Sequence, residues 1–339
     1  MSLPPVEKPL GAMRFNSDSQ KLEYFNGDVW MQIHTFSPNL DGGARGLRAG
    51  GQIAPANART DTIDYITIPT AGNATDFGNL TQIKFGPAGA GSNTRAVFMC
   101  GGTPTRLKEV DYVTFSSTGN GADFGDMTEE RAPGGSGAHS NQTRAIVNGG
   151  STSTGSGVSN VIDYITIAST GNGADFGDLP TAVSGHAAAG SSTRMIMAGG
   201  DTDGTGSYTN VMDFLTMGTT GNAQDFGDLT TAANPYAVSN SIRYVCVGNT
   251  SPATLIQNMI ISSLGDTYKF GDLATSAQGI IFSCSDPVRG VLGVLDGNNS
   301  SNIMQYISFQ TEGTAVDFGD LTQTVRNGGG ASNAHGGLG

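Results

Sequence analysis

Six arginines recur in one register of the chain: Arg45, Arg95, Arg144, Arg194, Arg243 and Arg289. A guanidinium fork suits carboxylates and sulfates, so such a row could line a surface for anionic glycans. A residue repeated in every unit of an array more often serves the unit itself. The expected partner is then the acid of the neighbouring strand: Asp64, Asp111, Asp163 or Asp213. Asn258 and Gln305 stand for that acid in two copies, where the pairing should be absent.

Other motifs carry less chemistry than they first suggest. The triplet Asp-Phe-Gly holds magnesium in protein kinases, but here it repeats without a kinase Gly-rich loop, lysine strand or catalytic loop. Gly119-x-Gly121 and Gly171-x-Gly173 begin like a dinucleotide fingerprint, yet Phe124 and Phe176 stand where its third glycine belongs. They read as turns. His34, His139, His186 and His335 show no metal-ligand spacing, and no Gly-x-Ser-x-Gly elbow supplies a serine nucleophile. His139 and His186 fall in small-residue strands, as a hydrogen-bonded channel lining would. Asp201 and Asp203 could hold calcium weakly, but an acidic surface loop needs no further ligands. Cys100, Cys246 and Cys284 lie far apart inside apolar runs and read as buried packing residues. The expectation is a protein that is not an enzyme, with no catalytic residue, cofactor or metal.

The elements that carry these residues follow from composition. The chain has 339 residues, enough for a buried core, and 51 glycines, which call for frequent turns. Its net charge of -12 disfavours nucleic acid as a partner. No 18-residue apolar run spans a bilayer, and Met1-Ser2-Leu3-Pro4-Pro5 lacks the basic and apolar regions of a secretory signal, so no membrane insertion is expected.

One pentad recurs six times, Asp-Phe-Gly-Asp-Leu or nearly so, with its phenylalanine at Phe77, Phe124, Phe176, Phe226, Phe270 and Phe318. The intervals are 47, 52, 50, 44 and 48 residues. Upstream of each lies a β-branched and aromatic run such as Ile63-Asp64-Tyr65-Ile66-Thr67-Ile68, before it an arginine module such as Thr94-Arg95-Ala96-Val97-Phe98, and before that a small-residue stretch such as Ala187-Ala188-Ala189-Gly190. Four short strands per unit predict an all-β fold, a β-propeller with the small-residue strand innermost and the pentad outermost. Its Phe and Leu should pack between blades. The first unit lacks an inner strand, and residues 323–333 are left over at the other end, so pairing of N- and C-terminal strands should close the ring and hide both edges. Six blades follow most simply. Ser332-Asn333-Ala334-His335 aligns with Ser92-Asn93-Thr94-Arg95, however, so a seventh blade completed by residues 21–40 stays open.

Residues 1–34 fall outside the repeat, leaving 35–339 for the propeller. Met13-Arg14-Phe15-Asn16, Lys21-Leu22-Glu23-Tyr24-Phe25 and Asp28-Val29-Trp30-Met31-Gln32-Ile33 read as a β-meander, with a type I′ turn at Asn26-Gly27. A meander this small is marginal alone, so it caps the ring or attaches to another surface, with Tyr24, Phe25 and Trp30 as candidate attachment residues. Recognition should fall to the longest inserts, residues 151–160 (Ser151 to Asn160) and 201–210 (Asp201 to Asn210), which follow the Gly-Gly of adjacent blades and should project from one face.

Gly11-Ala12-Met13-Arg14-Phe15-Asn16, Leu22-Glu23-Tyr24-Phe25-Asn26-Gly27 and Val29-Trp30 together resemble a short segment of bacteriophage tail fibres and other virion appendages. The repeats resemble the kelch-like propeller repeats of appendage proteins in marine phages, most closely over Thr170-Gly171-Asn172-Gly173-Ala174-Asp175-Phe176-Gly177-Asp178-Leu179. Lys269 departs from that pattern, so the fifth blade is expected to be irregular. The resemblance implies a virion protein, assembled in the host cytoplasm, that is either a host-attachment appendage or a purely structural capsid or tail component. Other virion proteins, host cell-surface glycan and further copies of the chain are the partners it suggests.

Overall fold

The computed structural model describes residues 9–16, 21–32, 44–53, 58–153, 156–248, 254–275, 279–295 and 300–338. The chain divides into two compact units, residues 1–40 and 41–339. The expected boundary at residue 34, with His34, lies outside the described residues.

The first unit is a three-stranded antiparallel sheet of Met13–Asn16, Lys21–Phe25 and Trp30–Gln32. Phe25 pairs with Trp30, so four residues make the turn, with Gly27 and Asp28 at its centre. Only Gly27 takes a positive φ, and the Asn26 carboxamide accepts the Asp28 and Val29 amides at 3.0 and 2.8 Å. The expected type I′ turn at Asn26-Gly27 is therefore not formed: the turn centres one residue later with a single positive φ, and Asn26 serves as its side-chain cap.

The second unit is all-β. Among the described residues it contains six four-stranded antiparallel sheets, which we number I to VI, and each is a propeller-like blade. Their first strands are Gly329–Ser332 in sheet I, then Ala88–Gly91, Ala138–Ser140, Ala187–Gly190, Tyr236–Ser239 and Gly279–Ser285. The arginine and aromatic modules form the middle strands, as Arg45–Ala49 and Thr62–Thr67 do in sheet I. The pentads form the last strands: Thr75–Asn79, Ala122–Arg131, Ala174–Val183, Gln224–Asp228, Tyr268–Asp272 and Val316–Val325. Small residues in the first strands of sheets I to IV permit crowding, while those of sheets V and VI also carry Tyr236, Ile280, Ile281 and Phe282. Each first strand lies against the next, and that of sheet VI lies against that of sheet I.

Sheet I joins the two ends of this unit, since Gly329–Ser332 pairs with Arg45–Ala49, Ala331 opposite Leu47. The paired segment is shorter than the expected 323–333, because Gln323 to Val325 still belong to the last strand of sheet VI. After Ser332 the chain turns into a 3-10 helix, Gly336–Leu338, and not into another arginine-type strand. In the described part of the segment considered for a seventh blade, residues 21–25 pair instead with Met13–Asn16, and residues 30–32 pair with 21–25. Sheet V keeps the common strand order and register despite Lys269, which lies opposite Gln257 and forms an ion pair with Asp272 at 2.7 Å. A two-stranded hairpin, Gln52–Ile53 with Ala58–Arg59, was not apparent in the sequence.

The core lies between sheets. Phe77 and Leu80 of sheet I pack with Ala96, Phe98, Val113 and Phe115 of sheet II, and Phe124 and Met127 of sheet II pack with Ala145, Val147, Ile165 and Ile167 of sheet III. Burying such a side chain contributes about 1.5–3 kcal/mol. The pentad glycine permits a closer approach: a Cβ on Gly78 would lie 2.4 Å from the carbonyl oxygen of Gly119, and one on Gly319 would lie 2.5 Å from that of Gly72.

Candidate functional site

The register arginines are occupied. Nη1 of Arg45, Arg95, Arg144 and Arg194 donates to the carbonyl oxygens of Phe115, Ile167, Met217 and Ile261 on the next sheet, at 2.6, 2.8, 3.2 and 2.7 Å. Arg289 of sheet VI donates to Pro69 on sheet I at 2.7 Å. The guanidiniums of Arg45, Arg95, Arg144, Arg194 and Arg289 also stack on the aromatic ring of their own third strand, as Arg95 does on Tyr112 at 4.5 Å. Arg243 departs from this pattern, with Nη1 3.7 Å from Glu312. They therefore serve the blades, but through carbonyls and rings, and the expected carboxylate pairing is not formed.

Those carboxylates have other cations. Asp64 pairs with Arg48, Asp111 with Lys84 at 2.6 Å and Asp163 with Arg131 at 2.7 Å, all buried. The hydroxyls of Thr322, Thr81 and Thr128 also donate to the three acids. The register places Gln257, and not Asn258, at the acid position of sheet V. Asp213 of sheet IV has neither partner: Pro180 replaces the threonine, Val183 replaces the cation, and Met197 lies opposite. Burial first, and then Asp225, push its carboxyl up to about 6.

The expected channel lining is half realised. A narrow cavity of about 50 Å³ runs between the first strands, lined by Ala90, Ala138, Ala188, Ser283, Ala331, His139 and His335. His139 and His335 pack edge to face at 5.4 Å, and burial holds them down to about 3 and about 4, so both are neutral at pH 7. Gly336–Leu338 lies over this end, against Ser140, Gly190 and Asn240, closely enough that only glycine fits at positions 336 and 337. His186 does not line this channel. It lies in a separate cavity beside Asp213, with neither ring nitrogen hydrogen-bonded.

The other end of the first strands opens into a cavity of about 290 Å³, which takes residues from sheets II, V and VI and from the turns between sheets. Its wall includes Phe85, Arg106, Asn234, Tyr236, Ile280 and Asn327. The turns that shape it bring backbone to backbone, Gly86 donating to Asn327 at 2.7 Å and Gly134 to Gly86 at 3.3 Å. Sequence patterning flagged these only as glycine-rich stretches.

The candidate recognition loops divide on this rim. Ser151 lines the mouth and accepts a hydrogen bond from Arg106 Nη2 at 2.8 Å; that same nitrogen donates to the Ser153 carbonyl at 2.6 Å. Residues 154–155 lie outside the described residues, and Asn160 belongs to the strand Ser159–Thr166. Asp201 bridges Ser184, itself on the mouth, and Asn210 immediately precedes the strand Val211–Thr216. The Asp201 and Asp203 carboxylates accept the loop's own amides, from Gly204 at 2.9 Å, Gly206 at 2.8 Å and Thr205 at 2.8 Å. The Ser207 hydroxyl, first among several donors, holds the Asp203 carboxyl well below the usual range.

The candidate attachment residues fall on two faces of the first unit. Met13, Phe15, Leu22, Tyr24 and Met31 share one face and are exposed. Phe25 and Trp30 share the other, their rings 5.5 Å apart, with Arg14 stacked 4.2 Å from Trp30 and paired with Glu23. No protein-family model matches the chain, and no curated protein matches it.

Proposed function

We propose that this chain is a bacteriophage-type virion appendage: a closed six-bladed propeller, carried by the N-terminal meander, that contacts the host surface through the mouth of its hub. The ring is supported by the first strands meeting in one circuit and by the shared sheet I. Binding without catalysis is the reading that suits the mouth, where the wall combines aromatic rings, amides and a guanidinium. The single observation that carries it is this 290 Å³ cavity at the hub, with Ser151 on its rim.

The exposed apolar face of the meander favours attachment to another virion protein or to further copies of the chain, whichever role the mouth has. A purely structural component would share that face and have no ligand. Glycan-array binding and adsorption to host cells by the full chain separate the two. The attachment reading expects binding that falls when residues 151–160 and 201–210 are shortened, whereas the structural reading expects none.

A further inference from the structure

Positive charge collects beside one wall of the mouth, that of Phe85 and Arg106, in a chain whose net charge is -12. Gln52 pairs across the small hairpin with Arg59, and on its other side bridges Arg326. Directly opposed residues share a face, so Arg59 and Arg326 flank Gln52. Arg326 Nε donates to the Gln52 carboxamide oxygen at 3.0 Å, which holds that side chain in the row. Beyond Arg59 comes Phe85, whose ring carries two guanidiniums, Arg59 at 5.2 Å and Arg106 at 5.4 Å.

Two of these guanidiniums, Arg59 and Arg106, lack the compensation found elsewhere. Arg48, Lys84 and Arg131 each have a buried carboxylate, whereas no described carboxylate lies within ion-pair distance of Arg59 or Arg106. Their Nε groups are buried and unpartnered. Burial, and then the charge of Arg59, hold the Arg106 guanidinium below the ordinary arginine range. Two like charges held together on one ring cost free energy unless an anion joins them.

We propose that Arg59, Phe85 and Arg106 form a site for the carboxylate or sulfate group of an acidic saccharide, which enters the mouth beside them. The inference rests on the binding role of the mouth and names its ligand class. The Arg59 guanidinium and Nη1 of Arg106, whose Nη2 is held by Ser151 and Ser153, take the oxyanion, while Tyr236, Asn234 and Asn327 offer a ring face and amides to the sugar. A cavity of about 290 Å³ admits a chain end or branch and not an extended polyanion.

Titration calorimetry on the full chain tests this with sulfated dextran oligosaccharide, oligogalacturonate, neutral dextran and inorganic sulfate as probes. Binding of either acidic saccharide is expected to weaken about tenfold in R59Q and in R106Q, further in the double variant, and to survive in R59K. Higher salt should weaken it too. R59Q, on a surface hairpin, is informative even if R106Q folds poorly. Inorganic sulfate bound as tightly as the oligosaccharides would overturn the saccharide assignment in favour of a free oxyanion. Failure of both acidic saccharides to bind, or binding unchanged in the double variant, would overturn the site itself. Host adsorption that survives the double variant but not loop shortening would sink this site and leave the attachment reading standing. Adsorption absent from the unaltered chain would sink that reading.

Discussion

The amide of Gly72 donates to the carbonyl oxygen of Phe318 at 2.7 Å, seating the turn of the first repeat on the pentad of the last. Gly119 on Phe77, Gly171 on Phe124, Gly221 on Phe176, Gly265 on Phe226 and Gly313 on Phe270 repeat the bond at 2.7–3.1 Å. The pentad is therefore an adhesive between sheets, and its glycine is there because the neighbouring backbone leaves no room for a side chain.

Substitution at that glycine should be costly. Gly125 has a φ of 139°, and a Cβ there would lie 2.6 Å from the Gly171 carbonyl oxygen. Gly125→Ala is expected to lose about 2 kcal/mol or more, from backbone strain and forced separation together. Urea denaturation checks this, and Gly218→Ala, at a position with nothing near it, should change little.

The register arginines should differ in worth. Removing Arg95 leaves the Ile167 carbonyl without its 2.8 Å donor and Tyr112 without its stacked cation, so Arg95→Gln is expected to cost about 1–3 kcal/mol. Arg243→Gln should cost least, because its Nη1 makes no hydrogen bond. Equal losses at the two sites by thermal unfolding would contradict the carbonyl clamp.

Asp213, which has no cation beside it among the described residues, gives a pH-dependent prediction. Its folded value of about 6 lies above the ordinary carboxyl value of about 4, so the folded state binds the proton more tightly. Its contribution is favourable below about pH 4 and is lost as pH rises through 6. The shift corresponds to about 2–3 kcal/mol at most, and solvent reaching the half-buried side chain reduces this to about 1 kcal/mol. Asp213→Asn should therefore stabilise at pH 7 and be neutral at pH 4, read as urea midpoints. Asp163→Asn should cost about 3 kcal/mol at pH 7, because it leaves the buried Arg131 guanidinium with only the more exposed Glu129, 3.6 Å away, as a counter-charge. A destabilised Asp213→Asn at pH 7 would mean that the carboxylate has a counter-charge after all.

The repeat could be read from the sequence because every sheet solves the same packing problem, which forces Phe, Gly and Leu into one spacing. Strand order and the leftover C-terminal strand followed from that spacing. The partners of individual residues did not. Arg45 and Asp64 stand in adjacent strands and invite pairing, yet a guanidinium that reaches the next sheet satisfies a carbonyl there, and Asp64 takes Arg48. In sheet V the register puts Gln257, opposite Lys269, in the place that Asp213 holds opposite Asp225, and Asn258 one residue beyond it. The mouth was least legible, since Phe85, Arg106, Tyr236 and Asn327 are far apart in the chain and meet only once the sheets are assembled.

Amide hydrogen exchange at the seam tests the closed ring most directly. Gly72 and the backbone of Arg45–Ala49 and Gly329–Ser332 should exchange as slowly as Gly171 and the strands of sheet III. Fast exchange confined to those seam amides, with sheet III still protected, would show that the first and last sheets do not meet.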